Sequence, residues 1–176
     1  MRILSDIKLF ITDIDGVWTD GSMYYSTAGE ELKRFNTYDS AGVLFAKLSN
    51  KDVAIITGEN NSTVVDRAKK LQIKHVFMGI SNKVDVAEKL IGDLEISWDE
   101  VAFIGDDIND FQLLMKVGIS ACPSQAPSYI KEIVDEVLPV KGGDGAFRAF
   151  VELILRKEGK FKSALENYFS NLKFRQ

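Results

Sequence analysis

The stretch ITDIDGVWTDG, residues 11–21, places three carboxylates and two glycines directly behind a short apolar run. Asp13 and Asp15 follow the end of that run and stand two positions apart. Carboxylates at this spacing repel each other, and each loses hydration if it is partly buried. The pair therefore indicates a bound cation, a transferred proton, or both.

Apolar runs bounded by turn residues recur along the rest of the chain. They predict buried strands at 9–11, 53–56, 75–77, 101–104 and 119–121, with a weaker one at 137–140. Segments with helical spacing lie between them, at 41–48, 63–71, 84–91, 110–117, 129–134 and 145–155. This alternation is typical of an α/β domain with a Rossmann-like parallel sheet and helices on both faces. In such a fold the active site lies at the carboxyl ends of the strands.

One segment interrupts the alternation of strands and helices. Residues 22–35, SMYYSTAGEELKRF, predict a β-hairpin after the first strand, with its turn near Ala28 and Gly29. The length of 176 residues favours a single domain, which we assign to residues 1–155 with the hairpin included.

The last segment, residues 156–176, predicts an amphipathic tail helix that belongs to the same domain. It carries six Lys or Arg against two Glu, and Phe161, Leu165 and Phe169 recur at helical spacing. Its apolar face packs either on its own domain or on a neighbouring subunit.

The composition excludes several classes of protein. Hydrophobic residues make up 45% and charged residues 27%, and no apolar run approaches the roughly 20 residues that span a bilayer. A net charge of −4 argues against wholesale binding of nucleic acid. The single cysteine, Cys122, fits a reducing compartment, and the N-terminus has no clean signal-peptide core, so we expect a cytoplasmic protein.

A second acidic group, GDDIND at residues 105–110, also follows a predicted strand directly. Ends of neighbouring parallel strands meet at one edge of a sheet, so Asp13, Asp15 and Asp106 can converge there. Carboxylate oxygens are the ligands of hard cations, and the most plausible ion is Mg²⁺.

Two further strand ends offer groups that suit a phosphate. Thr57 and the backbone of Gly58 follow the strand at 53–56, and Lys83 opens the helix after the strand at 75–77. Together with the aspartates they supply a carboxylate nucleophile, a second carboxylate for proton transfer, groups that hold phosphate oxygens and a metal site.

The four motifs ITDIDGVWTDG, IITG, Lys83 and GDDIND, in this order, resemble those of the haloacid dehalogenase superfamily of phosphatases. The resemblance implies that Asp13 attacks phosphorus to form an aspartyl-phosphate, and that Asp15 protonates the leaving oxygen and later activates water. It also implies that Asp13, the backbone carbonyl of Asp15, and Asp106 bind Mg²⁺.

The same resemblance assigns supporting roles to the remaining motif residues. Thr57 and Lys83 hold the phosphoryl oxygens, with the Gly58 backbone beside them. Asp110 orients Lys83, and Asp107 lies behind the residues that bind the metal.

No segment is long enough for the cap domain that many members of the superfamily carry. Four segments of the chain are similar to those of the subfamily that dephosphorylates 2-keto-3-deoxy sugar acids in surface-glycan precursor synthesis. They are GVWTDG, the hairpin, RFNTYDSAGV and KGGDGAF. The resemblance implies a homotetramer in which neighbouring subunits complete the open site. Trp18 departs from the subfamily, which has a smaller aliphatic residue there, and we expect it to alter the rim of the site.

The residues after the second motif bear on the substrate. Glu59, Arg67 and Lys70 are similar to the branch that acts on nine-carbon nonulosonate 9-phosphates of the KDN and sialic acid type, and this is the substrate we favour. Members acting on 3-deoxy-D-manno-octulosonate (KDO) 8-phosphate, a lipopolysaccharide precursor, usually have Arg in place of Glu59. That substrate is the alternative. Two other interpretations stay open. In one, Glu59 is a carboxylate at the start of a helix, and Arg67 and Lys70 lie on a solvated face. In the other, the chain is a non-catalytic regulatory subunit.

Overall fold

The computed structural model describes residues 6–27 and 31–173 of the chain. The strands are β1 (Leu9–Thr12), β2 (Tyr24–Tyr25), β3 (Glu31–Leu32), β4 (Asp52–Ile56), β5 (His75–Phe77), β6 (Val101–Ile104), β7 (Ile119–Cys122) and β8 (Glu136–Val137). The helices are α1 (Tyr38–Leu48), α2 (Ser62–Lys70), α3 (Lys83–Asp93), α4 (Phe111–Leu114), α5 (Ser128–Lys131), α6 (Ala146–Lys157) and α7 (Phe161–Lys173).

Six strands form a parallel sheet in the order β5-β4-β1-β6-β7-β8. β1 lies inside the sheet, and its last residue, Thr12, is in register with Ile55 of β4 and Ile104 of β6. The chain builds outward from β1 to β5 and then crosses back to β6 on the other side. This reversal of strand order opens a crevice at the carboxyl ends of β1, β4 and β6. The predicted fold class is confirmed.

Helices cover both faces of this sheet because alternate residues of each strand point in opposite directions. Phe10 packs into a core shared with α1, α2, α6 and α7. Its neighbours Leu9 and Ile11 pack into a second core with α3, α4 and α5. All four residues of β1 are buried, which explains why its sequence is an apolar run without polar alternation.

The hairpin lies between β1 and α1, where β2 and β3 pair antiparallel with Tyr24 opposite Leu32. The turn predicted at Ala28 and Gly29 lies outside the described residues. Within the described ranges, nothing larger than this hairpin is inserted into the α/β domain, so the prediction of a capless fold is confirmed.

Three elements near the C-terminal half differ from their predicted bounds. The helices predicted at 110–117 and 129–134 are the single turns α4 and α5, and the strand predicted at 137–140 is β8 at Glu136–Val137. β8 stops before Pro139, which has no N–H to donate to a neighbouring strand. The tail helix α7 packs on α1, where the rings of Phe161 and Phe45 meet edge to face at 5.5 Å. No helix in the described part of the chain has the length and apolar character needed to cross a membrane.

Trp18 lies in the core, which corrects the expectation that it alters the rim of the site. Its side chain is fully buried and stacks on Phe147, with ring centroids 5.1 Å apart. The indole Nε1 donates a hydrogen bond to Thr12 Oγ1 at 2.9 Å, and that hydroxyl donates to the backbone carbonyl of Asp13 at 2.7 Å. Trp18 therefore stabilises the end of β1 through these two hydrogen bonds.

We expect Trp18→Ala to lower the free energy of unfolding by about 3–5 kcal/mol, because it removes a fully buried ring and leaves a cavity. Urea denaturation followed by circular dichroism measures the change. Trp98→Ala is the matched control, since Trp98 is only partly buried and Lys116 Nζ lies over its ring, 4.4 Å from the centroid. Equal losses in the two variants would contradict the assignment of Trp18 to the core.

Candidate active site

The predicted site residues meet at the carboxyl edge of the sheet. Asp13 follows β1, Thr57 follows β4 and Asp106 follows β6 by one residue more. They line one open cleft of about 340 Å³ together with Asp15 and Gly58. The order of the strands in the sheet thus brings together groups that are far apart in sequence.

Lys83 enters this site from the first turn of α3. The side chain of Asn82 accepts hydrogen bonds from Val84 N and Asp85 N and so fixes the start of the helix. Lys83 is 2% exposed, and its Nζ lies 2.9 Å from Asp13 Oδ1 and 2.6 Å from Asp110 Oδ1. Burial alone would lower the pKa of Lys83, but the two carboxylates outweigh it and the pKa lies above its ordinary value.

Asp110 holds the site together without facing the cleft. Its Oδ1 accepts from Lys83, while its Oδ2 accepts from the backbone N–H groups of Asp106 at 2.9 Å and Asp107 at 3.3 Å. Both oxygens are engaged, and the side chain is fully buried. These contacts join Lys83 to the loop after β6. Asp107 is exposed and accepts from the hydroxyl of Tyr129 at 2.9 Å.

Asp13 and Asp106 are carboxyl groups of this cluster whose pKa values are raised. Burial, with repulsion from Asp110, raises the pKa of Asp13 to about 7 although Lys83 opposes the shift. Burial, with repulsion from Asp13 and Asp110, raises the pKa of Asp106 to about 8. Asp106 Oδ1 is buried and makes no hydrogen bond within the described residues.

This arrangement fits a hard divalent cation. One oxygen each of Asp13, Asp106 and Asp110 lies within 4.8 Å of the others. Since Asp110 is already held by Lys83 and two backbone groups, Asp13 and Asp106 are the side chains that would bind the ion. A cation between them would supply the partner that Asp106 lacks and offset the repulsion between the carboxylates.

Gly16 explains why a glycine follows the aspartate pair. Its φ is +83°, a left-handed conformation that side chains disfavour. A Cβ at this position would lie 1.9 Å from Asp106 Oδ2. The glycine lets the third aspartate approach the loop that carries the first two.

Thr57 and Gly58 occupy the cleft beside the nucleophile candidate. Thr57 is 1% exposed, and its backbone is held by a hydrogen bond from its N–H to Phe77 O at 3.0 Å. A Cβ added to Gly58 would lie 3.5 Å from Asn109 Nδ2 and 3.8 Å from Ile80 O, which are ordinary contact distances. Small groups at both positions leave room for a ligand with several oxygens.

The three residues predicted to contact substrate separate in the structure. Glu59 is exposed and lines the cleft. Arg67 instead donates from Nη2 to Asn36 O at 3.2 Å and to Ser40 Oγ at 2.7 Å. Lys70 is exposed at the end of α2 and does not line the cleft of its own chain.

Sequence reasoning missed two residues that contact the site. Lys33 Nζ lies 2.6 Å from Asp15 Oδ1. Gln125 bridges two loops, because its Nε2 donates to Gly16 O at 2.8 Å and its Oε1 accepts from Gly142 N at 2.9 Å. Neither residue belongs to a recognisable motif. The partner of Lys33 lies 18 positions away in the sequence, and the partners of Gln125 lie 109 and 17 positions away, so no local pattern identifies them.

A parallel sheet that delivers an aspartate pair, a buried lysine and a third aspartate to one edge is the architecture of phosphoryl-transferring hydrolases. Residues 72–150 match the family profile described as haloacid dehalogenase-like hydrolase. The chain is 40% identical to the 3-deoxy-D-manno-octulosonate 8-phosphate phosphatase KdsC of Salmonella typhi, over 93% of this chain and 87% of the relative.

Solved structures agree with the sequence relatives. The 3-deoxy-D-manno-octulosonate 8-phosphate phosphatase of Yersinia pestis has a TM-score of 0.86 at 38% identity, covering 89% of this chain and 84% of that one. The enzyme of the same name from Moraxella catarrhalis, solved with magnesium, phosphate and KDO, has a TM-score of 0.88 at 33% identity, covering 92% and 93%. The chain therefore belongs to the haloacid dehalogenase-like hydrolases, and it is a phosphatase.

We expect the affinity for Mg²⁺ to increase with pH. Ligation requires ionised carboxylates, and Asp13 and Asp106, with pKa values of about 7 and 8, are mostly protonated at pH 6. The dissociation constant should fall by about tenfold per pH unit for each proton released, and level off above about pH 8.

Isothermal titration calorimetry between pH 6 and pH 9 measures this dependence. Asp106→Asn is the matched variant: it should bind Mg²⁺ more weakly and with a shallower pH dependence, because one titrating ligand is gone. An affinity that stays constant over this range would contradict the assignment of the two carboxylates to the metal.

Proposed function

We propose that the chain hydrolyses the phosphate monoester of a 2-keto-3-deoxy sugar acid in surface-glycan precursor synthesis, with KDO 8-phosphate as its substrate and Mg²⁺ as its cofactor. The observation that carries the reaction type is the Asp13–Lys83 pair, 2.9 Å apart beside Thr57 in an open cleft. The names of the relatives, together with the magnesium, phosphate and KDO of the Moraxella catarrhalis structure, support the substrate and the cofactor.

In the first step Asp13 attacks phosphorus and the ester P–O bond breaks. The leaving sugar oxygen takes a proton from Asp15, and the phosphoryl group is bound covalently to Asp13. Asp15 suits this role because it lines the cleft and because its Oδ2 makes no hydrogen bond within the described residues.

In the second step a water molecule attacks phosphorus. Asp15, now deprotonated, takes the water proton, and the P–O bond to Asp13 breaks to release inorganic phosphate and restore the enzyme. One carboxylate thus serves both half-reactions in opposite directions.

Neighbouring groups stabilise the charge on the phosphoryl oxygens. Lys83 presents its ammonium next to Asp13, and Thr57 offers its hydroxyl with the Gly58 N–H beside it. Asp13, Asp106 and the backbone carbonyl of Asp15 would hold Mg²⁺, which would supply further positive charge.

A second candidate substrate is the nine-carbon nonulosonate 9-phosphate. Glu59 favours it, because an exposed carboxylate in the cleft accepts hydrogen bonds from sugar hydroxyls. Arg67 and Lys70, the other residues predicted for this substrate, lie outside the cleft of their own chain. The balance therefore moves from the nine-carbon acid expected from the sequence to the eight-carbon acid of the relatives.

We also propose that the enzyme is a cytoplasmic homotetramer. The hairpin presents apolar side chains outward, with Tyr24 51%, Tyr25 68% and Leu32 65% exposed in the single chain. Tyr24 and Leu32 are cross-strand partners and therefore lie side by side on one face of the hairpin. Exposed apolar side chains of this kind commonly mark a protein interface. A neighbouring subunit on the hairpin would also narrow a cleft that is open in one chain.

We expect Mg²⁺-dependent release of phosphate, abolished by EDTA, with a higher kcat/KM for KDO 8-phosphate than for KDN and N-acetylneuraminate 9-phosphates. Asp13→Asn should lower kcat by at least about a thousandfold, because it removes the nucleophile. Asp93→Asn is the matched control, since Asp93 is exposed at the end of α3. A colorimetric assay of released phosphate measures the Mg²⁺ dependence, the preference among substrates and the activities of the two variants.

Each alternative has its own outcome. Preference for the nine-carbon acids would replace the substrate and keep the reaction. Activity on many unrelated monoesters at equal kcat/KM would indicate a broad phosphatase. No Mg²⁺-dependent release from any monoester would contradict the proposed hydrolysis and favour a regulatory subunit.

We expect Leu32→Glu to convert the tetramer to smaller species, because it places a charge in the apolar face of the hairpin. Analytical ultracentrifugation measures the assembly. Met115→Glu is the control, since Met115 is 59% exposed at the end of α4, away from the hairpin. A wild-type chain that sediments as a monomer would contradict the proposed assembly.

A further inference from the structure

Lys33 is an inward-facing lysine in a segment whose neighbours face outward. Leu32 before it is 65% exposed, and the side chain of Arg34 after it is 62% exposed. The side chain of Lys33 is fully buried. This alternation is that of an extended strand, and it directs one cation of the hairpin into the domain.

The buried ammonium contacts the carboxylate that the proposed mechanism uses for proton transfer. Lys33 Nζ lies 2.6 Å from Asp15 Oδ1. A charge-assisted hydrogen bond of this length fixes the side chain that accepts it. The other oxygen, Oδ2, is buried and has no hydrogen-bond partner in the described ranges. The contact therefore distinguishes the two oxygens of Asp15: Lys33 holds Oδ1, while Oδ2 has no hydrogen-bond partner within the described residues.

We propose that Lys33 is a positioning residue, which holds Asp15 by Oδ1 so that Oδ2 is presented to the oxygen of the leaving group. Lys33 acts through Asp15 and does not contact the phosphoryl group itself. The hairpin then has a role within its own subunit, because it sets the orientation of the Asp15 carboxyl group. This inference rests on the proposed function, in which Asp15 protonates the leaving oxygen.

The role predicts a dependence on the leaving group. A sugar alkoxide is a poor leaving group and needs the proton from Asp15, whereas p-nitrophenolate leaves without one. The value of kcat/KM reports the steps up to formation of the phosphorylated enzyme, which include this proton transfer. A misplaced Asp15 should therefore slow the sugar ester far more than the aryl ester.

The experiment compares kcat/KM for KDO 8-phosphate and p-nitrophenyl phosphate in the wild type and in Lys33→Met, each with Mg²⁺. We expect a loss of about a hundredfold on the sugar ester and of less than about fivefold on the aryl ester. Arg34→Met is the matched control and should change neither value, because Arg34 pairs with Asp20 at 3.5 Å and is largely exposed. Lys33→Gln, measured in the same way, replaces Lys33→Met if that variant does not fold.

Asp15→Asn, measured in parallel, separates the inference from the function on which it rests. One outcome is that Asp15→Asn loses activity selectively on the sugar ester while the Lys33 variant loses activity equally on both esters or keeps full activity on both. In that case the positioning role is wrong and the proposed function stands. If Asp15→Asn turns over the sugar ester as fast as the wild type, the proposed role of Asp15 itself is wrong. Retained turnover of the aryl ester shows that the Lys33 variant is folded.

Discussion

The ion pairs of Lys83 with Asp13 and Asp110 are the interaction on which the rest of the site depends. They join the end of β1, the start of α3 and the turn after β6, with Nζ–Oδ distances of 2.9 and 2.6 Å. An ammonium buried without partners would cost several kcal/mol, as would clustered carboxylates without a counter-charge. Because Lys83 supplies the positive charge that both carboxylates need, burial of the three groups depends on these elements meeting at this point. Lys83 only partly offsets burial and the repulsion among the carboxylates, which together raise the pKa values of Asp13 and Asp106.

The loops around the cluster are held by contacts that converge on the segment after β1. Gln125 ties Gly16 to Gly142, and Asn36 donates to Gly143 O at 2.9 Å. A Cβ on Gly142 would lie 1.9 Å from Gly16 O, so the backbones of the two loops are in direct contact beside the Gln125 side chain. Below them, Trp18 and Thr12 support the carbonyl of Asp13. The floor of the site is thus fixed within one chain, while its outer side is bounded by the hairpin.

Much of the fold and the chemistry of the site could be predicted because both depend on local patterns. Asp13, Thr57 and Asp106 come after buried strands, and the ends of parallel strands meet at one edge whatever the details of packing. Contacts between side chains of separate elements could not be predicted in this way. Arg67 is an example: its sequence position gives no sign that its guanidinium donates hydrogen bonds to Asn36 O and Ser40 Oγ in its own chain. Lys33 had no signal in sequence, since a lysine in a hairpin is usually solvated.

The central claim is that Asp13 carries the phosphoryl group during turnover. The most direct measurement is to mix the enzyme with KDO 8-phosphate and Mg²⁺, stop the reaction with acid, reduce with borohydride and sequence the peptides by tandem mass spectrometry. Borohydride converts an aspartyl-phosphate to homoserine. The account predicts homoserine at position 13, dependent on substrate, and unmodified aspartate at position 15. Homoserine at position 15, or its absence from both positions while phosphate is being released, would contradict it.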